Sequence, residues 1–426
     1  MMMSEQDPWA LYGRHERTKF LIVLFLVGAC NYVDRNVIGV LLQQIKEEFL
    51  ISDTMLGFLG GASFALFYAT LGIPVAWWAD RGDRKLVITI SVTAWSVMTA
   101  VCGLAGTYWQ LIVARFGVGA GEAGAIPPAQ SLISDYYPPD QRSRAIGIFT
   151  ASSSVGYVLG LVVGGMLAQA YGWRVTFIVF GIAGLVLAPV AHLTLIEPRR
   201  ISHHCKPIAS EESITTAVLT LLGKPAYRYL LCGIVTYFLM AYGALVFIVS
   251  LMIRNHGLSV GRAGVLFGAV SAVGAAVGSV GGGALADRLA RSDVTWLPRF
   301  AGWGLLACVP LYELALWTPS LFIMICMLLM GTVVLTSAVP PAYAAVHFVC
   351  GSARRSLAIA LVLFFANLIG LGGGPVITGV LSDAFGGNHG SGTGLRYALM
   401  IMTSVLVAAG WAFLKAGQTL AADVEN

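Results

Sequence analysis

The sequence predicts an all-α membrane protein of twelve transmembrane helices, built as two six-helix halves with inverted repeats. Three observations predict this. The chain is 57% hydrophobic and only 11% charged, with a mean hydropathy of +0.79, so it has too few charges to cover a water-soluble surface. Its apolar runs last about 20 residues, the length a helix needs to cross a hydrocarbon core about 30 Å thick. One stretch also occurs twice, 213 positions apart. Ala125-Ile126-Pro127-Pro128-Ala129 returns as Ala338-Val339-Pro340-Pro341-Ala342, followed at equal distances by Arg142 and Arg355.

A second pair agrees at nearly the same offset: Ala79-Asp80-Arg81 with Arg84 matches Ala286-Asp287-Arg288 with Arg291. In order, the apolar runs place spans near 20–42, 54–79, 86–105, 109–136, 145–170, 175–196, 228–253, 262–285, 296–316, 319–347, 353–382 and 395–416. The Pro-Pro pairs fall in the fourth and tenth of these. Fifty glycines suit close helix–helix contact in lipid, where small residues let backbones approach.

Residues 1–19 carry Glu5, Asp7, Arg14, Glu16, Arg17 and Lys19 and are too polar to insert. The first span is long and lacks a small-residue cleavage site, which reads as a retained helix. With the N-terminus inside, nineteen Lys and Arg flank the spans on the inner side. Only Lys46, Arg174, Arg254, Arg262 and Arg396 fall outside. That asymmetry places both termini in the cytoplasm of a multi-pass inner (plasma) membrane protein. The net charge of +5 is then a topology signal, with no support for nucleic-acid binding. Domains follow as a cytoplasmic segment 1–19, a bundle 20–196, a loop 197–227, a bundle 228–416 and a tail 417–426. The cysteines show neither metal spacing nor a disulfide framework, and His203-His204-Cys205 reads as solvated loop. No metal, cofactor or catalytic residue is expected, and the chain is taken as monomeric.

Four ionisable residues lie deep in apolar spans, all in the first half: Asp34, Arg35, Arg115 and Glu122. A charge at mid-membrane costs at least about 2.5–3.5 kcal/mol, so such groups face a partner or a cavity. Arg115 and Glu122, seven apart, share a helix face but stand about 10 Å apart along the axis, too far to pair directly. Each therefore needs Asp34, Arg35, water or a ligand. The four charges sum to zero when ionised. Protonating Asp34 or Glu122 leaves +1, ready for an anion, and that couples protons to an anionic solute. Arg35 and Arg115 are the expected anion contacts, with Asn31 and Tyr32 adding hydrogen bonds. A packing role for the buried pairs is the competing reading.

Asp80, Arg81 and Arg84 form a loop motif of another kind. An aspartate at a helix end can approach a neighbouring helix N-terminus or pair with loop arginines, here Arg142 or Arg144. Such a latch breaks and re-forms as two halves move. Asp135, and the repeated Asp287-Arg288, join the expected network. The second half has almost no intramembrane charge but offers Phe238, Tyr242, Phe247, Phe364 and Phe365. A charged wall and an aromatic wall suit an amphipathic anion.

These residues resemble a known family. The duplicated halves, with G-x₇-D-R-x-x-R-K over Gly72–Lys85 and an echo at Asp287-Arg288, resemble the major facilitator superfamily along the whole chain. Asp83 stands where that loop usually has glycine. Asn31-Tyr32-Val33-Asp34-Arg35 and Arg115-Phe-Gly-Val-Gly-Ala-Gly-Glu122-Ala123, followed by Pro128 and Asp135, are similar to the spinster family. The resemblance implies a lipid transporter for lysophospholipids or sphingoid phosphates, often proton-linked. Asp34, Arg35, Arg115 and Glu122 would line its site. Competing expectations are a proton symporter for a small hydrophilic anion such as a sugar acid and, from another class, a membrane-embedded enzyme or receptor. No H-E-x-x-H, nucleophile elbow or phosphate loop supports an enzyme.

Overall fold

The structure, a computed structural model, describes residues 12–198 and 214–423. His203-His204-Cys205 lies outside the described residues. The helices are α1 (Arg14–Phe49), α2 (Asp53–Gly57), α3 (Ser63–Arg81), α4 (Arg84–Leu104), α5 (Tyr108–Glu122), α6 (Ile126–Tyr136), α7 (Pro139–Thr194), α8 (Ile214–Gly223) and α9 (Pro225–His256). They continue as α10 (Val260–Ala290), α11 (Trp296–Trp317), α12 (Leu321–Ser337), α13 (Val339–Phe365), α14 (Gly372–His389), α15 (Ser391–Ser404) and α16 (Leu406–Asp423). No strand occurs among the described residues.

Ten described helices are long and apolar enough to cross a membrane. One of them, α7, turns at Gly172 (φ 84°, ψ 168°), a backbone conformation that essentially only glycine adopts, and makes two crossings. The α5–α6 pair makes another, giving twelve. The helices overrun their apolar cores. α1 continues through Gln43–Phe49, where the hydropathy pattern places its end at 42, because backbone hydrogen bonding does not stop where apolarity does.

The expected fourth span, 109–136, is not continuous. Pro127 and Pro128 carry no N–H, so they sit in the first turn of a new helix, where that donor is not needed. The tenth span breaks identically. In one copy Ala125 N–H donates to Glu122 O (3.3 Å) and Ala129 N–H to Ala125 O (3.2 Å). In the other, Ala338 N–H donates to Leu335 O (3.4 Å) and Ala342 N–H to Ala338 O (3.3 Å). The sequence repeat is thus a repeated break in backbone hydrogen bonding.

The chain divides into two compact units, residues 1–45 with 63–208, and residues 46–62 with 209–426. In the first, α4 packs on α7 and α5, and α3 packs on α5. Lipid gives apolar helices little reason to associate, so close backbone contact does that work. A side chain at Gly119 would meet Phe64 O at 2.5 Å, and one at Gly121 would meet Trp95 N at 2.6 Å. These two glycines bring α5 against α3 and α4, which sets the site below. In the second unit, α9 packs on α16, α14 and α15, α10 on α12, and α2 on α14. Tyr227, fully buried, ties α9 to α13 by donating to Ala358 O (2.9 Å).

Candidate functional site

The first unit gathers the four intramembrane charges. Asn31, Asp34 and Arg35 are spaced i, i+3 and i+4 on α1, so one face carries all three. α5 ends at Glu122 because of the prolines that follow, leaving that carboxyl at the break. Arg35 donates to it with two nitrogens, Nε at 3.1 Å and Nη2 at 3.0 Å, both onto Oε2. Glu122 Oε1 accepts no hydrogen bond. The Arg35 guanidinium also lies over three rings, Tyr68 at 4.5 Å, Phe64 at 4.8 Å and Tyr32 at 5.2 Å. A planar, weakly hydrated cation suits such a cage better than an ammonium.

Arg115 occupies a deeper position. Its Nη1 donates to the Asp34 backbone carbonyl (3.3 Å) and it stacks over Phe64 at 5.5 Å, while Nε and Nη2 have no hydrogen-bond partner. Asp34 Oδ2 receives only the weak Cys30 thiol (3.8 Å), and Oδ1 is unpartnered. Neither polar atom of the Asn31 amide, nor Trp95 Nε1, has a partner. Asp34, Arg115 and Glu122 are 0%, 1% and 1% exposed, whereas Arg35 is 7% exposed and borders half-buried Tyr32 and Tyr68. Arg35 is therefore the most exposed of the four charges, and Arg115 is buried more deeply. Buried polar atoms in folded proteins are almost always satisfied, so this cluster has hydrogen-bonding capacity to offer water or a ligand.

Phe64 and Tyr68 pack against the Arg35 guanidinium, and buried Trp95 carries an unpartnered Nε1; the sequence reading singled out none of the three. The i, i+4 aromatic pair Phe64/Tyr68 was the available signal, hidden among other apolar residues of α3. Among the described residues no three His, Cys, Asp or Glu side chains gather to hold a metal.

At one end of the first unit, Arg84 is buried to 1% and holds two carboxylates, Asp135 at 2.6 Å and Glu197 at 2.5 Å, with Ser131 Oγ at 2.8 Å. Glu197 Oε2 also accepts the Arg84 backbone N–H (2.8 Å), a carboxylate at the positive end of α4. Asp83, the residue that departs from the usual loop pattern, is the N-cap of α4 and accepts from Leu86 N–H (3.0 Å). Glu197, at the start of the central loop just beyond α7, folds back to pair with Arg84, a contact the sequence did not reveal. Arg81 lies over the Trp77 ring (4.1 Å). Arg142 Nε donates to Tyr137 O (3.0 Å), and Arg144 is exposed beside Arg14. Asp80 falls in the last turn of α3. Asp287 and Arg288 are exposed at the end of α10, with no ion pair to a described residue.

A second buried charge cluster lies in the other unit. Asp53 receives Lys46 Nζ (2.6 Å), both Arg254 Nη atoms (2.7 and 2.8 Å) and Ser382 Oγ (2.6 Å). Asp383 accepts the N–H groups of Asp53 (2.9 Å) and Thr54 (2.8 Å), anchoring the first turn of α2. Short polar residues in a loop between spans gave no distinctive motif for it.

The repeat also shows what the second half lacks. Stepping 213 positions from Arg115 and Glu122 lands on Leu328 and Leu335, both buried. Beside the second break, an apolar pocket is lined by Tyr237, Phe238, Ala338, Val339, Ala342 and Tyr343.

With this geometry in place, comparison with known proteins is decisive. Residues 24–309 match the Major Facilitator Superfamily. The chain belongs to that superfamily. It is 32% identical to an MFS-type efflux pump of Mycolicibacterium smegmatis, over 91% of this chain and 89% of that one. It is 27% identical to protein spinster homolog 1 of Xenopus tropicalis, over 94% and 80%. Among solved structures, it superposes on a bacterial homologue of the human lysosomal transporter Spinster in an inward-facing, unoccupied conformation. The TM-score is 0.89 at 31% identity, covering 97% of this chain and 100% of that one. This superfamily protein is thus a spinster-like multi-pass membrane transporter, and its relatives are transporters rather than enzymes.

Proposed function

We propose that the protein moves an amphipathic organic anion, of lysolipid or sphingoid-phosphate type, across the inner membrane by proton-coupled alternating access. The observation that carries this is the lopsided Arg35–Glu122 pair: two donors on one carboxylate oxygen, with the other oxygen unpartnered. An anionic headgroup competes for the Arg35 fork, which binds phosphate and carboxylate oxygens in pairs. Once Arg35 is drawn away, Glu122 is a carboxylate buried without a counter-ion, and taking up a proton relieves that cost. Asp34 and Arg115 balance each other behind the pair, and Asn31 and Tyr32 border the headgroup. Anion and proton thus occupy the unit together, and neither is stable there alone.

Buried Leu328 and Leu335 leave the second half free of rival charge, which favours an amphipathic over a wholly hydrophilic solute. Both termini and the Arg84–Asp135–Glu197 cluster face the cytoplasm, by the distribution of Lys and Arg. On this reading the spans group as 20–196 and 228–416. The Arg84 cluster, with Asp80, Arg81, Arg142, Arg144, Asp287 and Arg288, serves gating on the inner side. The protein works as a monomer.

The test is transport into proteoliposomes of a labelled lysophosphatidic acid under an imposed pH gradient. Movement that follows the gradient and collapses on its dissipation supports the reading. Movement of a labelled sugar acid, with no lysolipid transported, overturns the substrate class; indifference to the gradient overturns the coupling.

A further inference from the structure

Three arginines meet around one cavity at the Arg14 end of α1. The cavity has a volume of about 260 Å³ and is lined by Arg14, Arg17, Thr18, Tyr137, Gln141 and Arg144. Arg14 and Arg17 are i, i+3 on α1, and Gln141 and Arg144 are i, i+3 on α7, so each helix turns one polar face to the same space. Neither Arg14 nor Arg144 forms an ion pair with a described residue. The nearest acid in sequence, Glu16, is engaged elsewhere, accepting the Gly13 N–H at 2.9 Å.

Ordinary inner-side positive charge needs basic residues near span ends but does not require them to converge. Arg14 and Arg144, with no ion pair of their own among the described residues, are relieved of their mutual repulsion when an anion fills the centre. The neutral groups fit the same purpose. Thr18 Oγ1 is spent on Arg14 O (2.9 Å) and Tyr137 Oη on Arg17 O (2.8 Å), which fixes the backbone carrying the arginines. Gln141 is left as a further donor. The space is smaller than the roughly 300–1,000 Å³ of a drug-sized ligand site, and so matches a headgroup better than a whole lipid.

We propose that this cavity binds a phosphate group, held by Arg14, Arg17 and Arg144, apart from the Arg35 site. The phosphate comes either from an anionic lipid headgroup of the adjacent leaflet or from a free phosphate ester; the chemistry of recognition is the same.

The test is calorimetric titration of the purified full-length protein in neutral detergent. Its probes are short-chain phosphatidic acid, inorganic phosphate and short-chain phosphatidylcholine. Phosphatidic acid binds, phosphatidylcholine does not, and binding weakens with salt. Arg144→Gln, which alters an exposed side chain and leaves the fold intact, weakens binding about tenfold, the usual effect of losing one charge-assisted hydrogen bond. Measured on an R35Q background, which removes the proposed transport site, binding persists, and the triple variant R14Q/R17Q/R144Q added to that background abolishes it. Inorganic phosphate matching the lipid in affinity identifies a free ester as the ligand; a marked preference for the lipid identifies the membrane. Absence of binding by either probe overturns the proposal. So does binding that survives Arg144→Gln unchanged, or that R35Q removes.

Discussion

Arg35 and Glu122 are joined through a single carboxylate oxygen, Oε2, which accepts both Nε and Nη2 while Oε1 has no partner. A symmetric fork-to-fork pair would be a lock. This arrangement is held on one side only, which leaves a route for an exchange of partners. In Glu122→Gln the carboxylate is gone and Arg35 is uncompensated. Gradient-driven transport is expected to vanish while exchange of labelled for unlabelled anion persists, read in proteoliposomes with and without a pH difference. Full gradient response in this variant removes Glu122 from the coupling role.

Arg35→Lys separates charge from shape. Lysine keeps the positive charge but forfeits the planar fork and most of the stacking on Tyr32, Phe64 and Tyr68. Cation–π contacts of this kind contribute about 0.5–2 kcal/mol. Apparent affinity for the anion is expected to fall about tenfold or more, with the maximal rate less affected. Tyr68→Leu should reproduce a smaller part of that loss.

Gly121→Ala probes the packing that places Glu122. The new methyl would meet Trp95 N at 2.6 Å, and backbone has nowhere to go. Overpacking of this type costs about 1–3 kcal/mol. A lowered unfolding temperature in detergent is expected, together with weaker transport, because α5 is pushed off α4. Unchanged stability shows that α4 and α5 adjust freely.

Glu197→Gln leaves Arg84 buried with one carboxylate where it had two. Breaking a buried pair costs about 3–5 kcal/mol, and the Asp135 contact offsets part of it. The loss should exceed that of Arg81→Gln, whose partner is an exposed ring, when both are compared by thermal unfolding.

Asp53→Asn tests the second charge cluster. Lys46 and Arg254 would keep a neutral acceptor but lose their shared counter-charge, so two cations remain close together. The variant is expected to raise cysteine-labelling rates at positions introduced in residues 46–62, whereas Asp53→Glu preserves protection. Equal labelling in both variants means that the cluster does not hold this segment.

Much of the architecture was legible in the sequence because the bilayer simplifies the problem. Chain length per crossing is fixed by thickness, and a mid-membrane charge is costly enough to stand out. That is why Asp34, Arg35, Arg115 and Glu122 were visible; the distance between Arg115 and Glu122 left Asp34, Arg35, water or a ligand as their partners, and the structure selects Arg35 for Glu122. The repeated Pro-Pro pair announced duplication, though the same prolines made the fourth span two helices and not one. Depth within the bundle was not legible. Helical periodicity assigns Arg115 and Glu122 to one face, but Phe64 decides that Arg115 lies behind Arg35. Aromatic residues escape notice in membrane spans because an apolar ring has no cost there to betray it. Glu197 and Asp53 were hidden differently, since polar residues at span ends are common and only three-dimensional packing shows which are buried.

The matched breaks at Ala125 and Ala338 carry one more implication. The two copies of one kinked scaffold differ at the equivalent position, with Glu122 in one and Leu335 in the other. On the proposed function, such a division of labour would let cargo preference drift through greasy substitutions in the later copy without disturbing the ionic engine in the earlier one.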